Sequence, residues 1–338
     1  MRKGAGGAAD GRRRYTAMRH PLKKHPLIKH PPGKDGHALF FPGETWARMK
    51  KKKLMYLFVL PFMSLFFIFT VLPVLASMAL SLTQFNMLSA PRWIGFDNYV
   101  RLFLQDEYFL LAVRNTILFA VIIGPGGYLL SLLFAWIINE LDDRVRMLVT
   151  LILYAPSISG NAFLIWSVFF SGDSYGYFNS ILMRIGLLEA PVIWLKDVDY
   201  IIPCVIVVSL WTSLGTSFLA FIAGFKGIDR TYYEAGAVDG LRNRWQELWY
   251  ITLPLMKPQL LFGSVMSITS AFGIGDMITA LCGYPTTDYV AHTIMNHLQD
   301  YGGARYEMGY ACAIATVLFV LMVSSNVVIK RTIAKVGT

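Results

Sequence analysis

Six long apolar runs dominate the pattern of this chain, over residues 54–82, 110–138, 148–170, 201–223, 259–281 and 309–329. A helix of about 20 apolar residues crosses a bilayer, and the core of a soluble domain does not call for runs of this length. The first run follows a basic cluster, Arg48 and Lys50 to Lys53, and contains Pro61 and Pro73. Membrane helices tolerate proline where neighbours satisfy the freed backbone groups. The pattern predicts an all-α membrane protein of six transmembrane helices, a bundle over 54–338, preceded by a flexible basic tail over 1–53. Six spans place both termini on one side.

The polar segments alternate in character. The N-terminal segment, the turn with Arg144 and Arg146, the stretch 224–258, and the end with Lys330, Arg331 and Lys335 are rich in Lys and Arg. The segments 83–109, 171–200 and 282–308 hold fewer basic residues and carry acids such as Asp97, Asp106, Asp173, Asp197 and Asp300. Basic loops stay on the cytoplasmic side. The first set and both termini are therefore expected in the cytoplasm of a cell whose plasma (inner) membrane holds the chain. Trp93, Trp194, Tyr200 and Tyr284 fall where interfacial aromatics are expected.

Composition sharpens this. Of 338 residues, 55% are hydrophobic and 15% charged, against about 25% charged in a soluble domain, and the mean hydropathy is +0.49. The net charge of +10 lies in the tail and in short loops, without interleaved aromatics, which argues against nucleic-acid binding. Cys204, Cys282 and Cys312 lack metal or CxxC spacing and read as small buried residues. His20, His25, His30 and His37 have nothing to fix a metal geometry, so no metal is expected. The chain has no GxxxxGK[ST] and no HExxH, so it binds no ATP through a P-loop and shows no zinc-protease motif. No span carries a run of ionised residues, which argues against an ion pump.

The segment 224–260 is too polar to span and too apolar for an idle loop. Asp229 reads as an N-cap, and Tyr233, Ala237 and Leu241 share a helical face. Gly240 after Asp239 suits the left-handed stop of a first short helix. A second amphipathic stretch runs from Arg242 to Tyr250, and Pro254 and Pro258 limit where the next helix begins. Two short helices at an angle are expected over 226–252.

This segment resembles the EAA loop of binding-protein-dependent ABC-importer permeases: Tyr233-Glu234-Ala235-Gly236, then Asp239-Gly240, then Ile251-Thr252-Leu253-Pro254. Gly236 departs from the usual alanine and adds some helix cost. The resemblance covers about residues 54–334. Ile94 to Tyr99, Asn115-Thr116, Ala155-Pro156 with Trp166, and Gly309-Tyr310-Ala311 are similar to the carbohydrate-uptake (maltose/glycerol-phosphate-type) branch. Cys282-Gly283-Tyr284-Pro285 is a degraded form of its Gly-Gly-Pro turn. The resemblance implies the type I ABC importer permease fold with cytoplasmic coupling helices. It implies a transport subunit, not an enzyme, for a sugar or oligosaccharide. It also implies partners: a nucleotide-binding ATPase subunit that holds the ATP and Mg, a second permease chain in a heterodimer, and an extracellular solute-binding protein. Tyr233, Glu234, Ala235, Asp239, Gly240, Ile251, Leu253 and Pro254 would form the ATPase-coupling joint.

For the cargo pathway, Ser209, Ser213 and Thr216 fall at i, i+4 and i+7 of the fourth run, with Thr212 and Trp211 beside them. Hydroxyls and an aromatic plane suit a sugar, and the same hydroxyls suit helix–helix packing. Asp276 is an acid inside a predicted span and a functional candidate on that ground, or else a structural hydrogen-bonding group near the outer interface. Asn161 and Trp166 of the third run are weaker candidates. A glycerol-phosphate or other small-solute cargo is the main alternative. A stand-alone secondary transporter would leave the EAA segment unexplained, and a lipid-acting enzyme would need a polar cluster that the sequence lacks.

Overall fold

The computed structural model describes residues 53–334; the basic N-terminal segment with its four histidines lies outside the described residues. Contacts divide the chain into two units, 1–63 and 64–338. Of the first, the described part is the opening of helix α1, Lys53–Phe66. A π turn, Phe67–Val71, leads into α2, Leu72–Leu80. Phe67, Ile68 and Phe69 are at least half exposed, as lipid-facing side chains are.

A short hairpin follows, with β1, Thr83–Gln84, antiparallel to β2, Arg92–Trp93. Asn98 in α3, Asp97–Leu104, donates to the carbonyls of Ser81 and Thr83 at 2.8 and 2.9 Å and pins the hairpin base. Helix α4, Glu107–Asn139, is capped by the Asp106 carboxylate, which accepts from the Phe109 N–H. At 33 residues it is about 50 Å long, and it packs against most later helices.

Helix α5, Asp143–Ile158, breaks at Ser159–Asn161 before a 3-10 turn and α6, Ile165–Phe169. The two arms meet at 90°. A surface helix α7, Tyr177–Arg184, precedes α8, Val198–Thr212, and α9, Thr216–Lys226. Next come α10, Arg230–Val238, and α11, Arg244–Glu247, with a π turn at Leu248–Thr252 and the single turn α12, Leu253–Leu255. Helix α13, Lys257–Phe272, is followed after one break by α14, Gly275–Cys282. The capped helix α15, Ile294–Gln299, precedes the last helix α16, Met308–Ala334.

Among the described residues, four helices are long and apolar enough to cross a membrane: Met55–Leu80, Glu107–Asn139, Val198–Lys226 and Met308–Thr332. The number rises to as many as six if each of two bent pairs, 143–169 and 244–272, is one span. The bend of the second pair falls at Met256, before the expected fifth run begins, yet neither the third nor the fifth run is a single unbroken helix. The third bends at Gly160, which takes φ +68, and the fifth is interrupted at Gly273–Ile274.

Three apolar cores stabilise the bundle. Phe119, Ile201, Val205 and Ile278 centre one, Phe109, Ile294 and Ile314 a second, and Phe218, Phe221 and Met256 a third. Between the first two runs a polar seam. Asn115 of α4 donates to the carbonyls of Val290 and His292 at 2.9 and 3.0 Å, and Thr116 accepts from the Ile294 N–H at 2.9 Å. These bonds hold the segment after α14 against α4.

Candidate functional site

Four helix interruptions or weak points converge on one cavity of about 340 Å³. Helix α4 contributes Ile123 and Gly127, at the edge of its Gly124-Pro125-Gly126-Gly127 stretch. The broken third run contributes Pro156, Ser157 and Gly160. The gap between α8 and α9 contributes Ser213, Gly215 and Thr216, and the break after α13 contributes Gly273 and Ile274. Backbone at membrane depth leaves regular helix only where it lines a cavity or is held by protein, so this convergence marks the cavity as a built feature. Ser209, Ser217, Ser267 and Ser270 add hydroxyls to the wall, and none of the described lining residues is Lys, Arg, His, Asp or Glu.

Close packing sets the cavity's bore. A Cβ at Gly127 would lie 2.7 Å from Ser213 Cβ, and one at Gly126 would lie 3.0 Å from a Leu210 methyl. Glycine in α4 is what lets α8 approach this closely.

The structure brings some of the predicted pathway residues together and separates others. Ser213 and Thr216 line the cavity; Asn161, Trp166, Trp211 and Asp276 do not. Trp166 stacks on Phe170 with ring centres 5.4 Å apart and meets Trp211 edge-on at 5.8 Å, within the first apolar core. Asp276 is exposed and accepts a hydrogen bond from the Gln299 amide. Ser157, Gly127, Ser267 and Ser270 escaped the sequence reading. The spacing of Ser264, Ser267 and Ser270 on one face of α13 is the signal that points to part of this wall.

The second feature is the segment from α10 to α12. Asp229 caps α10, its side chain accepting from the Thr231 N–H at 3.0 Å. Gly240 takes φ +95 and ends the turn, while the Leu241 N–H donates to the Gly236 carbonyl at 2.9 Å, the pattern of a glycine-closed helix. Nothing lies within 4 Å of a Cβ built at Gly240, so the backbone conformation, not crowding, demands glycine there. Gly236 is the reverse case. It is buried, and a Cβ there would stand 2.7 Å from Ile251 Cδ1 and 2.9 Å from Leu241 Cδ1.

Around that contact, the Tyr233 and Thr252 hydroxyls are 2.9 Å apart. Leu253 packs on the third apolar core, and Pro254 is exposed. Glu234, Ala235 and Asp239 face outward, with Glu234 3.6 Å from Arg230. The segment rests on the end of α4 through Arg244 to Glu140 at 3.1 Å and through Trp136 against Trp245. Tyr232, Val238, Trp249 and Tyr250 add exposed apolar surface to the same segment.

A third cluster lies at the opposite end of α4. Asp106 accepts from His297 Nε2 at 3.0 Å and from the Tyr310 hydroxyl at 2.7 Å. His297 Nδ1 faces His292 Nε2 at 3.0 Å. With His297 donating to Asp106, its Nδ1 is an acceptor and His292 is the donor. Burial alone would raise the Asp106 carboxyl, but the hydrogen bonds from His297, Tyr310 and the Phe109 N–H outweigh it and hold the group well below the usual carboxylate range. Burial, then the neighbouring His297, push the His292 imidazole down to about 4 against the pull of Asp106. No sequence motif announced this cluster.

A broken-helix bundle with a hydroxyl-lined cavity and a protruding pair of short helices defines a membrane transport subunit. The comparisons make the class specific. Residues 127–336 match the family described as binding-protein-dependent transport system inner membrane component, and the chain belongs to that family. It is 32% identical to Probable ABC transporter permease protein YesP of Bacillus subtilis (strain 168), over 79% of this chain and 86% of that protein. It is 29% identical to the lactose transport system permease protein LacF of Rhizobium radiobacter, over 66% and 74%. It is also similar to a chain in the solved structure of a bacterial alginate ABC transporter in complex with alginate pentasaccharide-bound periplasmic protein. There the TM-score is 0.67 and the identity 29%, with coverage of 87% of this chain and 99% of the other. The chain is thus a permease subunit of a binding-protein-dependent ABC importer, carried in the inner membrane and not itself an enzyme.

Proposed function

We propose that this chain forms half of the translocation pathway for a neutral sugar or oligosaccharide, delivered by an extracellular binding protein and imported at the expense of ATP hydrolysed elsewhere. The observation that carries the reading is the uncharged, hydroxyl-rich cavity at the convergence of the helix breaks. Serine and threonine hydroxyls both donate and accept, as the hydroxyls of a sugar do. A phosphate or carboxylate cargo would want an arginine or lysine, and the described lining has neither. The relatives named for lactose and alginate transport support a saccharide in general.

In this reading residues 54–338 form the permease domain, with both termini cytoplasmic. Glu234, Ala235, Asp239 and Gly240 meet the ATPase subunit, which holds the ATP and Mg. Tyr233, Ile251, Leu253 and Pro254 back that joint from within. A second permease chain completes the pathway. Ser213 and Thr216 contact cargo; Asn161, Trp166, Trp211 and Asp276 shape the surroundings.

The test is uptake of radiolabelled lactose, maltose, trehalose and arabinotriose by cells with and without this chain. Loss of ATP-dependent uptake of one of these on deletion, and its loss again with Ser270→Trp, which fills the cavity, is the expected result. Uptake that survives Ser270→Trp unchanged would remove the cavity from the pathway.

A further inference from the structure

The gap between α8 and α9 leaves backbone carbonyls without helical partners, and two serines from other helices answer them. Ser157 Oγ of α5 lies 3.2 Å from the Thr212 carbonyl and 3.0 Å from the Leu214 carbonyl. Ser131 Oγ of α4, fully buried, donates to the Ser213 carbonyl at 3.2 Å. Gly215 sits against Ser157, with a Cβ there 3.1 Å from Ser157 Oγ. Gly215 takes φ −114, ψ −133, and no side chain caps α9. The single Ser157 hydroxyl thus serves the Thr212 and Leu214 carbonyls together, Ser131 adds a second donor to a Ser213 carbonyl that already accepts from the Gly215 N–H at 2.8 Å, and the gap forms one wall of the cavity.

In an apolar span an unpaired carbonyl is costly. The cheapest repair is to close the gap. A helix continued through 213–215 would give Thr212 O the Thr216 N–H and Leu214 O the Phe218 N–H. That would rotate Thr216 off the cavity wall.

We infer that Ser157 and Ser131 are positioning residues for transport: they hold the α8–α9 gap open and so keep Thr216 and its neighbours turned toward the cargo. Neither needs to touch cargo for this. The inference rests on the cavity being the pathway, and it adds that the cavity's shape is maintained by hydrogen bonds from Ser157 in its wall and Ser131 behind it.

The test uses the assembled complex in native membranes carrying Thr216→Cys. The reagent is 2-aminoethyl methanethiosulfonate, and modification at position 216 is located by mass spectrometry, so Cys204, Cys282 and Cys312 are read separately. With Ser157→Ala the labelling rate at 216 is expected to fall about five- to tenfold. Ser157→Thr, which keeps the hydroxyl, is expected to restore it, at unchanged amounts of complex. Where Ser157→Ala does not assemble, Ser131→Ala is read instead, with a smaller fall in labelling expected because the Ser213 carbonyl keeps the Gly215 N–H. A labelling rate unchanged by the serine substitutions would overturn the inference while leaving the pathway intact. No labelling of 216 in the complex with both serines present would overturn the pathway reading, and the inference with it.

Discussion

Gly236 and Gly240 show two different reasons for the same residue type. At Gly240 the backbone is left-handed with open space around it, so a β-branched side chain costs conformational energy of about 1 kcal/mol or more. At Gly236 the backbone is helical and the space is taken by Ile251 and Leu241, so a larger residue costs about 1–3 kcal/mol through overpacking. Gly236→Val is expected to loosen α10 from the π turn and to lower co-purification of the ATPase subunit. Gly240→Val is expected to leave the packing intact and to reduce uptake per ATP hydrolysed. Equal behaviour of the two variants in both assays would contradict this division. The sequence reading took Gly236 as a departure that only weakens a helix. The close approach to Ile251, 15 positions further on, was not visible in a pattern of local spacing.

Other residues quoted for the family resemblance turn out to be scaffold. Asn98, Asn115 and Gly309 are pins: Asn98 and Gly309 fasten the hairpin, and Asn115 fastens the segment 289–292. Asn115→Leu strands those carbonyls at a loss of about 1–3 kcal/mol. A lowered thermal unfolding temperature is expected, and an unchanged one would contradict the pinning role.

At the scale of elements, the long apolar runs were legible because lipid demands them, and the short helices of 226–252 were legible from caps and prolines. The breaks were not. Gly160, Gly215 and Gly273 each sit beside a break, but glycine is also frequent in unbroken membrane helices. At Gly215 the break is answered by the Ser157 hydroxyl of another helix, a partner that a one-dimensional pattern does not contain, and at Gly160 it is a left-handed turn in open space. The Asp106–His297–His292 cluster is hidden for the same reason, since its members lie nearly 200 positions apart.

That cluster makes stability depend on pH with a definite sign. His292 sits at about 4 in the folded chain against an ordinary 6.5. Between those values the unfolded chain binds the extra proton, so stability is full above about 6.5 and falls as pH drops toward 4. Asp106 is also held low, and its contribution is lost further down in the same direction. His297 stands between the two, and the tyrosines around them, Tyr284, Tyr289, Tyr301 and Tyr310, ordinarily titrate far above that window. The unfolding temperature of the complex is expected to fall from pH 7 to pH 4, and His292→Gln is expected to flatten the part between 6.5 and 4. An equally steep profile in that variant would contradict the assignment.

At the scale of the whole molecule, α4 joins the two ends of the account. One end carries Trp136 and, just beyond, Glu140 against the α10–α12 segment; its middle lines the cavity; its other end is capped by Asp106. In the proposed reading, the motor and the second half-pathway come from other chains. The most direct measurement is to tag this chain, extract it gently from native membranes, and weigh the intact complex by mass spectrometry. The account predicts a stoichiometric P-loop ATPase and a second multi-span permease in the same particle, with the ATPase lost when Gly236→Val is introduced. A solitary chain that still catalyses uptake in vesicles without ATP would contradict it.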